Sequence, residues 1–236
     1  MEWSRPPISR TPVVDKTDSY TLTRAQRYNT HHRSSLRNKL TNWREQRVLA
    51  AALNVAGRPK SALDLPCGTG RFWPVFEQSG VTNLIAADGS AGMLSVAAQN
   101  RGDQQYPAKL IACSAFDIAL NDAAVEFAAC LRFYHHLGQA ADRSRLLAEL
   151  RRVSSRFVAI SLWVDGNLAG NRRLRRAPPP ATAGYGRRRC RPRAEVEQEF
   201  HDAGFRVRAH FDVWPRLYMW RLYLLEHNQP RQGHER

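Results

Sequence analysis

The stretch Ala62-Leu63-Asp64-Leu65-Pro66-Cys67-Gly68-Thr69-Gly70-Arg71-Phe72 decides how the rest of this 236-residue chain is read. Leu63 and Leu65 supply a short buried strand. Gly68 and Gly70 let the backbone turn sharply and come close to a ligand with no Cβ in the way. A helix opening near Phe72, with Pro74 in its first turn, points free N–H groups back at that turn. A second apolar run, Asn83-Leu84-Ile85-Ala86-Ala87, ends in Asp88, which follows Gly70 by 18 positions. In a nucleotide-binding βαβ unit an acidic side chain at about that distance accepts hydrogen bonds from ribose hydroxyls. A dinucleotide site wants G-x-G-x-x-G. Here Arg71, Phe72 and Trp73 follow Gly70, so the third glycine is missing.

Asp64 at the strand end, before the turn, points elsewhere. Asp64 to Gly70 resembles the first motif of class I S-adenosylmethionine-dependent methyltransferases, D/E-x-G-x-G-x-G, with Pro66 in place of the first glycine. The resemblance implies that the loop backbone holds the methionine part of the cofactor and that Asp88 holds its ribose. A second likeness follows the fourth strand. His135-His136-Leu137 is similar to an H-H-L found in the branch that contains ubiquinone- and menaquinone-type methyltransferases.

The remaining pattern is that of an alternating α/β chain. Strands are expected at 62–65, 83–87, 108–113, 125–131 and 156–164, with helices near 72–79, from Ser90, and over 142–153. On the last helix Leu146, Leu147, Leu150 and Val153 form the apolar face, and Arg143, Arg145, Arg151 and Arg152 are expected to point outward. A further helix over 194–204 leads into strands at 205–214 and 217–226, separated by Pro215. The expected fold is a doubly wound, Rossmann-like α/β sheet. The resemblance makes it seven-stranded and mostly parallel, with an antiparallel last strand. Residues 1–60 form an N-terminal arm and helical cap in two segments, with Thr21 or Thr23 as a helix cap. Residues 61–236 form the methyltransferase domain, with an Arg/Pro-rich insertion at 166–193 expected to be a loop.

Charge separates these parts. The net charge of +15 comes from 12 basic and 4 acidic residues in 1–60, 9 and 10 in 61–165, and 15 and 7 in 166–236. The core is neutral and the flanks are basic, so an anionic partner is to be sought at the flanks. Nine arginines fall between Gly166 and Arg193. Cys67, Cys113, Cys130 and Cys190 have no C-x-x-C spacing and read as free thiols, without a metal site. No apolar run reaches the ~18–20 residues of a membrane span, and the start lacks a signal-peptide pattern. The expected location is cytoplasmic, with peripheral membrane contact left open.

The resemblance places S-adenosylmethionine against Asp64, Pro66, Gly68, Gly70, Asp88, Gly89, Met93, Ser114, Ala115, Phe116, Asp117, Leu131 and Arg132. Ser114 stands where many members have Asp, so Asp117 or a backbone group would meet the adenine. Phe116 either stacks on the ring or belongs to the core. His135 and His136 are candidate general bases, or else fix their loop. Tyr20 and Tyr28 of the cap, and Arg172 and Arg173 of the insertion, are candidate acceptor-binding residues. The acceptor expected is a small or lipid-like molecule, with anionic character read from the arginines. The alternative is a nucleic-acid-binding or non-catalytic protein on the same fold. Against it stand the lack of a recognisable nucleic-acid-binding module and of an Asn/Asp-Pro-Pro-Tyr motif after the fourth strand.

Overall fold

The computed structural model describes residues 35–101, 106, 109–176 and 188–228. Thr21, Thr23, Tyr20 and Tyr28 lie outside the described residues. The described part of the cap is one 20-residue helix, α1 (Leu36–Val55). The Ser35 hydroxyl accepts the Asn38 N–H at 3.2 Å to start it. Its inner face is Leu49, Ala52, Leu53 and Ala56, at helical spacing and buried.

The sheet is built from β1 (Ser61–Asp64), β2 (Asn83–Asp88), β3 (Lys109–Ala112), β4 (Val125–Cys130), β5 (Ser154–Val164), β7 (Phe205–Asp212) and β8 (Trp220–His227). A two-residue strand, β6 (Cys190–Arg191), comes between β5 and β7 in the chain. The order is β3-β2-β1-β4-β5-β8-β7. β8 is antiparallel to both of its neighbours, and the other pairs of that order are parallel. The seven-stranded expectation therefore holds for the main path, and β6 adds an eighth strand beside the end of β5.

Helices cover both faces because alternate residues of the central strands are apolar on both sides. One core packs Leu63, Ile85, Ala128 and Ile160 under α4 (Ala140–Val153) and α6 (Arg193–Asp202). The other packs Ala62, Leu84, Phe127 and Ala159 against α1, α2 (Trp73–Gln78) and α3 (Ala91–Arg101). Each fully buried leucine in these layers contributes about 1.5–3 kcal/mol relative to exposure.

Two sequence expectations need correction. Arg143 does not point outward; its side chain is 4 % exposed. It precedes Leu146, Leu147 and Leu150 on the same helical face, and a carboxylate from α6 receives it there. Nor is the insertion all loop, since residues 166–176 contain α5 (Leu168–Leu174). The Asn167 side chain caps that helix by accepting the Gly170 N–H at 2.7 Å. Leu168 N–H and Ala169 N–H donate to the Arg216 and Leu217 carbonyls, and β6 pairs with Trp163 and Val164. Local capping and a sheet edge order the described ends of a segment whose composition reads as a poor core former.

Candidate functional site at the carboxyl edge of the sheet

The parallel strands bring several loops to one edge. Leu65 N–H donates to Ala129 O of β4 at 2.9 Å, and Cys67 N–H donates to Ala87 O of β2 at 2.8 Å. The Asp64–Gly70 loop is thereby stretched across the ends of three strands. Pro66 follows a cis peptide bond. The Asn100 amide of α3 donates to Thr69 O at 2.8 Å.

The two glycines of this loop serve different ends. Gly68 has φ +57° and nothing within 4 Å of where a Cβ would stand. Gly70 has φ +80°, and a Cβ there would lie 2.7 Å from the Trp73 ring. Gly70 is thus required by the indole packed behind it, and Gly68 leaves an open cradle. Gly70→Ala is expected to cost roughly 2–4 kcal/mol by chemical denaturation, from the left-handed backbone and the clash. Gly68→Ala is expected to cost about 1–2 kcal/mol, keep the fold and weaken ligand binding. Equal stability losses in the two variants would contradict this division.

Asp88 shapes the loop. Its carboxylate accepts Gly68 N–H and Ser90 N–H, both at 2.9 Å. Burial raises its pKa, against the pull of the Ser90 and Gly68 N–H groups. Each oxygen retains a second lone pair for another donor. Ser90 caps α3 through its hydroxyl, which accepts Met93 N–H at 3.2 Å. Gly89 is half-buried, and Met93 is buried at the start of that helix.

Asp64 differs from Asp88. It is fully buried, and neither carboxylate oxygen has a hydrogen-bond partner among the described residues. Burial, reinforced by the Asp88 charge, pushes it up to about 8, although Arg71 and the Trp73 indole pull it back. The Trp73 N–H closes no hydrogen bond of its own. A buried carboxylate left without a donor is costly unless protonated or paired with a ligand.

After β3, residues 114–117 make a tight turn. Phe116 N–H donates to Ser114 Oγ at 3.2 Å, and Asp117 N–H to Ser114 O at 3.2 Å. Ala115 is buried and Asp117 is exposed. Phe116 packs on Phe133, centroids 6.2 Å apart, with Arg145 over it.

After β4 come Leu131, which is buried, and Arg132, which has φ +60°. The Arg132 N–H donates to Ser161 Oγ at 2.8 Å, and its guanidinium lies 4.9 Å from the Trp220 ring centroid. Glu45 of α1 accepts both Arg132 and Arg71 at 2.8 Å. Burial opposes ionisation of Glu45, but the two guanidiniums together hold its pKa below the usual value. This clasp ties the cap helix to the loops after β1 and β4. Sequence reasoning missed it. The available signal is that Glu45 is the only acidic residue between Asp18 and Asp64 in a basic flank.

The histidine pair sits on a single 3-10 turn, Tyr134–His136. His135 is 1 % exposed, stacked on Trp163 at 5.4 Å and edge-on to Trp220 at 4.7 Å. Burial and then the His136, Arg132 and Arg188 charges depress its pKa. His136 is pushed down to about 4 by burial, then Arg188 and Arg132. Both imidazoles are therefore neutral at pH 7, and neither Nδ1 has a partner among the described residues. Arg172 and Arg173 lie on α5, both exposed. The structure thus brings Asp64, Gly68, Asp88, Arg132 and the histidines to one edge. Phe116 is half-buried against the margin of the core and Asp117 is exposed, both in the turn after β3.

No curated protein matches the sequence. Residues 63–156 match the family model described as a methyltransferase domain. Among solved structures, the magnesium protoporphyrin IX methyltransferase of Synechocystis with bound S-adenosylhomocysteine superposes with TM-score 0.69. It shares 17 % identity, over 91 % of this chain and 99 % of that one. An S-adenosylmethionine-dependent methyltransferase of Clostridium acetobutylicum gives TM-score 0.69 at 11 % identity, over 86 % and 99 %. An O-methyltransferase from neocarzinostatin biosynthesis, complexed with S-adenosylhomocysteine and 1,4-dihydroxy-2-naphthoic acid, gives 0.57 at 17 %, over 75 % and 52 %. Motif, strand order and family match agree: residues 63–156 carry a methyltransferase domain, on a fold shared with S-adenosylmethionine-dependent methyltransferases.

Proposed function

We propose that this enzyme methylates a small-molecule acceptor seated over the carboxyl ends of β4 and β5, beside His136, Trp163 and Arg132. The observation that carries the reading is the unpaired, buried Asp64 carboxylate next to the open Gly68 cradle. Those two features fit the α-ammonium group at the amino-acid end of S-adenosylmethionine. Asp88, through its remaining lone pairs, suits the ribose hydroxyls. Leu131 and Met93 supply apolar walls.

The bound cofactor supplies an electrophilic sulfonium methyl group. The chain then has to orient the acceptor in line and keep water out. His136, neutral and half-buried, is the histidine placed to hydrogen-bond an acceptor hydroxyl. A group titrating near 4 is a weak base, so its part is orientation more than proton removal. His135 has no comparable access and holds the turn in its aromatic surroundings. Small-molecule acceptors are also in keeping with the magnesium protoporphyrin and naphthoic acid named for two structural neighbours. Lipid-like character finds support in the exposed Leu36, Leu40 and Trp43 of α1.

The test is calorimetric titration with S-adenosylhomocysteine, followed by incubation with S-adenosylmethionine and a panel of acceptors read by mass spectrometry. Binding, and one methyl gained by a hydroxylated small molecule, are expected. Methylation confined to nucleic acid or protein acceptors would overturn the proposal.

A further inference from the structure

Two guanidiniums meet at one indole. Arg173 lies 4.7 Å and Arg188 5.4 Å from the centroid of the Trp163 ring. The Arg173 side chain donates to Arg188 O at 3.1 Å, so the pair is held together across the insertion. Neither guanidinium pairs with a carboxylate among the described residues. Several other arginines are paired: Arg71 and Arg132 with Glu45, Arg143 and Arg191 with Glu199, Arg193 with Asp165, and Arg221 with Asp212. Arg173 and Arg188 are both exposed, and what sets them apart from other arginines without an ion pair is that the two share one buried ring.

A second observation points the same way. The Trp163 side chain is 96 % buried by its 4 % exposure, and its N–H has no hydrogen-bond partner among the described residues. His135, stacked on it, has an unpartnered Nδ1, as does His136. Buried polar atoms are nearly always satisfied. An orphan donor, the Trp163 N–H, beside two cations that meet no carboxylate among the described residues describes a place suited to a polar, negatively charged group. The supports are ordered: α5 carries Arg173, β6 begins two residues after Arg188, and Arg189 N–H donates to His135 O at 2.8 Å.

We propose that Arg173 and Arg188, over Trp163, form a subsite for a carboxylate or phosphate group of the methyl acceptor. The proposal rests on the methyltransferase reading of this edge. The subsite is not where the cofactor's own carboxylate sits: β5 is two strands, about 10 Å, from the β1 loop. Guanidinium forks suit both oxyanions.

The test uses the full chain saturated with S-adenosylhomocysteine, titrated calorimetrically with phenyl phosphate, benzoate and neutral benzyl alcohol. One or both anions are expected to bind and benzyl alcohol not to; the tighter anion identifies the group. Arg173→Ala and Arg188→Ala should each weaken anion binding about tenfold. Arg175→Ala, on the neighbouring exposed position, should leave it unaltered, and the double Arg→Lys variant should restore part of it. S-adenosylhomocysteine affinity should stay within about twofold throughout, which also reports that the variants are folded. Anion affinity unchanged in the double alanine variant, or benzyl alcohol bound as well as the anions, would overturn the subsite. If wild type binds the anions through these arginines without binding S-adenosylhomocysteine, the subsite stands and the cofactor reading falls.

Discussion

Asp64→Asn is expected to weaken S-adenosylhomocysteine binding at least about a hundredfold while making the ligand-free protein more stable. The two effects share one cause. Asp64 is fully buried without a hydrogen-bond partner among the described residues, and its pKa is pushed up from 3.8 to about 8. In the ligand-free protein at pH 7 it holds a proton. Pairing with an ammonium group requires the carboxylate, so binding at pH 6–7 should release close to one proton, and the release should fade above pH 8. Calorimetry in buffers of different ionisation enthalpy measures this directly. Removing one partner of a buried charge pair costs about 3–5 kcal/mol, which sets the affinity loss. For stability the sign is opposite. A group whose pKa is raised on folding contributes stability that is present below its unfolded value near 3.8 and lost progressively as pH climbs to about 8. The asparagine variant should therefore match wild type near pH 4 and exceed it at pH 8 by a few kcal/mol, at about 1.4 kcal/mol per pH unit. Absence of proton exchange in wild type, together with unchanged affinity in the variant, would remove Asp64 from the site.

Glu199→Ala is expected to lower the melting temperature by roughly 10 °C. Glu199 receives Arg143 through two nitrogens, at 2.6 to 3.1 Å, Tyr134 OH at 2.6 Å and Arg191 at 2.9 Å. Arg143 also donates to Leu137 O and Gly138 O, so this one carboxylate holds the turn carrying the histidine pair. Deleting it strands a buried guanidinium and a buried phenol, at about 3–5 kcal/mol, or about 2–4 °C per kcal/mol for a chain of this size. Glu195 meets Arg191 at 3.4 Å with its side chain 59 % exposed; Glu195→Ala should cost under about 1 kcal/mol. The Glu199 pKa is lowered: the Arg143 and Tyr134 hydrogen bonds and the Arg191 charge overcome its burial. Its contribution is therefore present above the usual carboxylate range and lost as pH falls through the lowered value. The wild-type advantage, followed by circular dichroism, should shrink on acidification. A melting loss no larger for Glu199→Ala than for Glu195→Ala would contradict this.

Much of the fold was legible because strand and helix periods are local. Alternating apolar runs marked β1, β2, β4 and β5, and Gly68, Gly70 and Asp88 stand at spacings that only a short chain segment has to satisfy. The side of α4 that Arg143 takes was misread, because a charged residue at the end of an apolar stripe goes inward only when a distant carboxylate meets it. Glu199 is 56 positions away. The Glu45 clasp was invisible for the same reason: its two arginines lie 26 and 87 positions on. The described ends of the insertion were misjudged on composition, since α5 starts from a side-chain cap and β6 pairs with β5.

Local backbone geometry accounts for what the chain's own residues declared in advance, namely a glycine turn after a buried strand, an acid before it and an acid after the next strand; the class of methyl donor followed from the resemblance that this pattern carries. Partners far apart in sequence decided the rest. Among the described residues, tertiary packing left Asp64 unpaired, engaged Asp88 with the loop, enclosed His135 between indoles, and set Arg173 and Arg188 on one ring without a carboxylate partner. Burial and long-range pairing set the protonation and charge of a side chain, and neither is a property of the residues beside it in the chain.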